Sequence, residues 1–110
     1  MRVVYLKVGR PPVVKDIDGS LESMQELVGG YIQSMPLSYN TALVCDEDGK
    51  VKGLPVNRVA FTDDGDMIDL IRGDFFIVGT GSEDFVSLTD EQAARYIDMY
   101  LFEKGGEKCQ

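Results

Sequence analysis

Asp74-Phe75-Phe76-Ile77-Val78-Gly79 is the most apolar run of the chain, and its reading decides the fold. Aromatic and β-branched residues dominate it, and no polar residue interrupts it, which predicts a strand at the centre of a sheet. Two acid-rich turns lie upstream. Asp63-Asp64-Gly65-Asp66 separates apolar runs at 58–61 and 67–71, and Asp46-Glu47-Asp48-Gly49 separates runs at 41–45 and 50–54. Asp-Gly between such runs is a hairpin signal, so both are expected to be hairpin turns.

Toward the N-terminus, 2–8 and 13–17 read as strands separated by Gly9-Arg10-Pro11-Pro12. Ser20 is expected to cap a helix over 21–28, with Leu21, Met24, Leu27 and Val28 on its apolar face and Gly29-Gly30 at its end. Residues 31–35 alternate like a strand that stops at Pro36. Toward the C-terminus, Thr89-Asp90-Glu91-Gln92 is a capping box opening a helix over 90–103. Ala93, Ile97, Tyr100 and Leu101 make its buried face, and Gly105-Gly106 closes it. This order predicts one α+β domain over 1–104, with a mixed or antiparallel sheet and two packed helices, then a frayed tail over 105–110.

Composition narrows the chemistry. The 110 residues include no histidine, which removes His-based nucleophile pairs, imidazole bases and His-ligated metals. Cys45 and Cys109 are too few for a zinc site. A buried, reduced Cys45 beside an exposed Cys109 fits a cytoplasmic protein. Lys and Arg total 11 against 19 Asp and Glu, a net charge of −8. Residues 46–84 carry ten acids and four bases, a field that opposes binding to nucleic-acid backbones. No apolar run reaches the ~18 residues of a membrane span, and residues 1–7 are too short for a signal peptide. The expectation is a protein with no cofactor, no metal, no catalytic residue, no direct nucleic-acid partner and no membrane partner.

The acid turns lack the alternating oxygen spacing of a calcium loop and read as solvated turns. Gly29-Gly30-Tyr31 is either a helix end followed by a core tyrosine or a tight path that lets a ligand approach and stack on Tyr31. In Gly53-Leu54-Pro55-Val56-Asn57-Arg58, proline stiffens a loop, Asn57 offers an amide, and Arg58 offers bidentate donors for phosphate or carboxylate. A salt bridge to a nearby acid is the competing role for Arg58 and Lys52. The backbone around Gly79-Thr80 could cradle a phosphate, although it lacks a Walker lysine. Arg10 is the second cation candidate because its loop is free of acids. The candidate ligand-binding residues are thus Arg58, Asn57, Tyr31, Gly29, Gly30, Gly79, Thr80 and Arg10.

Leu27-Val28-Gly29-Gly30-Tyr31-Ile32, the stretch from Leu43 to Lys50, Gly53-Leu54-Pro55-Val56-Asn57-Arg58, Gly73 to Gly79 and Ser87-Leu88-Thr89 together resemble a small family known only as a domain of unknown function. Its members are carried by phages, plasmids and conjugative elements of bacteria, and the resemblance covers residues 20–104. It implies a protein made in the cytoplasm of a bacterial host cell. Small acidic proteins of mobile DNA often oppose host defence, and two routes follow. One is a non-catalytic homo-oligomer that sequesters a nucleotide immune signal, such as a cyclic dinucleotide or an ADP-ribose derivative, on aromatic faces and phosphate donors. The other is an acidic DNA mimic or protein-binding inhibitor of a restriction or nuclease system. Ten aromatic residues in 110 favour the first.

Overall fold

In the computed structural model the backbone is described over residues 1–107 and the side chains through Leu101. The strand expected at the centre is there. It is β7 (Phe75–Thr80), flanked by β1 (Arg2–Leu6) and β4 (Thr41–Asp46), with β2 (Val13–Asp16) and β3 (Ile32–Ser38) as the outer strands. The short β8 (Phe85–Val86) adds to β7, while β5 (Val56–Phe61) and β6 (Met67–Arg72) form a separate two-stranded sheet. Every pairing is antiparallel.

The unbroken hydrophobicity of β7 has a direct cause, because both of its faces are covered. Phe75 and Ile77 point into a core shared with Ala60, Ile71, Leu88, Ala93, Tyr96 and Tyr100. Phe76 and Val78 point the other way, against Met24 and Val28. The first layer comes from the β5–β6 hairpin and helix α3 (Asp90–Glu107), the second from α1 (Leu21–Val28). Burying one such side chain contributes about 1.5–3 kcal/mol, so this strand ties three layers together.

Local signals account for the helix ends. Ser20 accepts from the Ser23 amide, and Gly29 closes α1 at φ 83° with its amide bonded to the Gln25 carbonyl. Thr89 N–H donates to Gln92 Oε1 at 2.9 Å, and Gln92 N–H donates back to Thr89 Oγ1 at 3.1 Å, the reciprocal pair of a capping box. Along α3 through Leu101 the buried side chains are Ala93, Tyr96 and Tyr100, with Ile97 beside them. Tyr96 takes the inward place expected for Leu101, which is half exposed.

Four expectations need correction. Helix α3 does not close at Gly105-Gly106 but runs through them to Glu107. The described residues form three helices, not two. Asp46-Glu47-Asp48-Gly49 is not a hairpin turn and 50–54 is not a strand, because the chain leaves β4 into a short helix α2 (Gly49–Lys52). The Asp46 carboxylate accepts from the Asp48 amide at 2.8 Å and from Lys52 Nζ at 2.7 Å, and so winds the turn inward. Gly49 is needed for a close approach: a Cβ there would lie 3.0 Å from the Arg72 carbonyl oxygen. Finally, β3 continues through Pro36 to Ser38 with a register shift between them, since an outer strand tolerates the missing N–H. The turn at 63–66 joins β5 to β6 as expected, with Gly65 at φ 92°. Cys45 is buried, whereas Cys109 lies outside the described residues.

Candidate functional site

Asn57 and Arg58 both sit inside the protein, 8 % and 3 % exposed. Alternation would send one of them outward, but β5 carries a register shift between Val56 and Arg58. Asn57 Nδ2 donates to the Leu6 carbonyl at 2.9 Å and the Gly73 carbonyl at 2.8 Å, tying β5 to the end of β1 and the start of β7. Arg58 Nη1 donates to Asn57 Oδ1 at 2.6 Å, and Nη2 donates to the Arg10 carbonyl at 2.8 Å. The competing salt bridge is not formed: among the described residues no carboxylate oxygen lies within 4 Å of Arg58. Lys52 does form one, with Asp46.

The loop that Arg58 holds borders a cleft. Tyr5, Lys7, Arg10, Pro11 and Val13 line about 370 Å³ of space. The strand register places Tyr5 opposite Val13 and Val3 opposite Lys15, so alternation puts Tyr5, Val13 and Lys15 on one face of the β1–β2 hairpin. Charge sets this region apart. Arg2, Lys50, Lys52 and Arg95 are ion-paired with Asp90, Asp69, Asp46 and Asp63, and Arg72 donates to the Leu54 carbonyl. Among the described residues, the exposed cations with no carboxylate within 4 Å are Lys7, Arg10 and Lys15, all on this hairpin. The Tyr5 hydroxyl is anchored behind it, donating to the Leu27 carbonyl at 3.0 Å with Asp74 Oδ2 at 3.4 Å. Burial first, then the Asp74 charge, pushes its pKa up to about 12, so the phenol stays neutral.

The other expected residues divide between the two ends of the sheet. Gly29, Gly30 and Tyr31 share the end where β1 finishes and β7 begins. Tyr31 is 69 % exposed, so it is not a core tyrosine. A Cβ on Gly30 would meet Lys52 Nζ and the Asp46 carboxylate at 2.7–3.0 Å, which makes that glycine a packing requirement. Gly79 and Thr80 lie at the far end of β7, roughly 16 Å along an extended strand at ~3.3 Å per residue. Gly79 packs against the β8 backbone and Thr80 N–H donates to the Asn40 carbonyl, so this backbone is committed. A second cleft at that end includes Tyr39, Asp63, Glu91 and Arg95, but its cation is paired with Asp63.

Tyr5, Lys7, Pro11 and Val13 were missed as site residues. The available signal was a run of bases, Lys7, Arg10 and Lys15, spaced through the start of an otherwise acidic chain. Among the described residues no three Asp, Glu or Cys side chains are grouped to hold a metal ion. No helix there is long and apolar enough to cross a membrane.

One comparison with known proteins supports membership of a domain-of-unknown-function family and extends it to the N-terminus. No curated protein and no solved structure matches the chain. A family model with the description Domain of unknown function (DUF3846) matches residues 1–101, and the chain therefore belongs to the DUF3846 family.

Proposed function

We propose that this domain binds and sequesters a nucleotide-like anion in the β1–β2 cleft without turning it over. The observation that carries the reading is that Lys7 and Arg10, neither with a carboxylate oxygen within 4 Å among the described residues, flank Tyr5 in one cleft of an acidic protein. An anion approaching this surface gains most where cations are not already neutralised. The apolar faces of Tyr5, Pro11 and Val13 suit a flat base, and Arg10 suits a phosphate. Ligand pockets span ~300–1,000 Å³, and this cleft falls within that range.

The groups at hand support sequestration rather than catalysis. The sequence contains no histidine. The Cys45 thiol is buried and pushed up to about 11, chiefly by that burial, so it is not an activated nucleophile. In a phage or plasmid setting, a protein of this kind would draw a nucleotide immune signal away from its host receptor. The test is a thermal-shift and calorimetric screen against ADP-ribose and cyclic dinucleotides, with the ligand recovered after denaturation. A raised melting temperature and an intact ligand support the proposal. A cleaved ligand rejects sequestration, and a flat screen rejects the nucleotide and moves the acidic inhibitor reading ahead.

A further inference from the structure

Arg58 presents an unusual combination. It is 3 % exposed, no carboxylate oxygen lies within 4 Å of it among the described residues, and its Nε has no hydrogen-bond partner. A guanidinium keeps its charge when buried, and an uncompensated charge in a low-dielectric interior is costly. Its hydrogen bonds point in one direction: to Asn57, and through the Arg10 carbonyl to the loop that lines the cleft. Nearby, the Val8 amide is held by Asp74 Oδ1 at 2.9 Å, and the Arg10 amide closes a turn on the Lys7 carbonyl at 3.1 Å. The loop is thus pinned on both sides, and on one of them by a positive charge.

We infer that Arg58 is the positioning residue of the cleft. From behind the Gly9–Pro12 loop it holds the Arg10 backbone carbonyl and adds a third positive charge with no carboxylate oxygen within 4 Å among the described residues. The inference rests on the reading of the cleft as an anion site. The charge is retained because it acts on a ligand that Arg58 does not touch. A purely structural clamp would require the hydrogen bonds but not the charge, and Asn57 shows that a neutral side chain can bridge two carbonyls in this region.

The experiment uses the whole chain with ADP and inorganic pyrophosphate as probes, titrated calorimetrically at low and moderate salt. Amide hydrogen exchange is followed in the unliganded protein. Arg58→Met is expected to weaken ADP and pyrophosphate binding at least tenfold and to flatten its salt dependence. The Arg10 amide should exchange at least tenfold faster while those of Val3 to Leu6 do not change. Arg58→Lys keeps the charge but loses the fork, so it should show a looser Arg10 amide, a several-fold loss of affinity and the parent's salt dependence. It also serves as the test if Arg58→Met fails to fold. Parent affinity and parent Arg10 exchange in both variants would overturn the inference while leaving the cleft reading intact. A parent protein that binds neither probe and is also flat in the screen against ADP-ribose and cyclic dinucleotides would overturn both.

Discussion

Asp46 and Lys52 form an asymmetric pair: the Asp46 side chain is 1 % exposed, while that of Lys52, whose Nζ lies 2.7 Å from the carboxylate, is 41 % exposed. The carboxylate also accepts the Asp48 amide, so one buried oxygen pair holds both the exit of β4 and the end of α2. Asp46→Ala removes both bonds. It is expected to destabilise the domain by about 1–3 kcal/mol, read as a shift of the urea midpoint. An unchanged midpoint would mean that α2 is held by its backbone alone.

Phe75 and Phe76 face opposite layers. Phe75→Ala and Phe76→Ala should each cost ~3–5 kcal/mol. The first should perturb the edge contact between Phe75 and Tyr100, whose centroids are 6.1 Å apart. Near-ultraviolet circular dichroism separates the two, because among the described residues the edge-on ring pair involves Phe75 and not Phe76.

Asp18 supplies an acid-side dependence. Hydrogen bonds from Ser23 and then Ser20 lower its pKa from 3.8 to about 2. The folded value lies below the unfolded one, so its contribution is complete above pH 4 and is lost as pH falls from about 4 to 2. Asp18→Asn should remove that part of the acid transition, seen by following α1 exchange against pH.

Tyr5 and Tyr96 act at the other end of the scale. Burial is the largest cause in both cases and pushes each pKa up to about 12. Here the folded value lies above the unfolded one, so the contribution is complete below pH 10 and is lost as pH rises from 10 to 12. Replacing both by Phe should flatten the alkaline limb of the stability profile measured in urea. An alkaline limb identical to the parent's would show that neither phenol is held in its neutral form.

Local chemistry made much of this legible. Ser20 and Gly29 mark the ends of α1, Thr89 and Gln92 open α3, and the apolar run at Phe75–Val78 marks the central strand. Asp46–Gly49 was misleading because an Asp-Gly turn and an Asp-initiated helix begin with the same residues. The choice was made at a distance, by the Arg72 carbonyl pressing on Gly49 and by Lys52 reaching Asp46. The site divided in a similar way. Scarcity of cations singled out Arg10 and Arg58, but scarcity says nothing of which are already paired. The shift in β5 turned Arg58 inward, and only the hairpin register brought Tyr5, Val13 and Lys15 onto one face.

The most direct test of the account is the affinity of Arg10→Ala, relative to the parent, for whichever nucleotide the screen identifies. Its side chain is exposed and makes no ion pair among the described residues, so the melting temperature of the unliganded variant should match the parent's. Losing a charge-assisted hydrogen bond costs ~1.5–3 kcal/mol, which predicts a dissociation constant roughly ten- to a hundredfold higher. A variant that binds the nucleotide as tightly as the parent would contradict the assignment of the β1–β2 cleft.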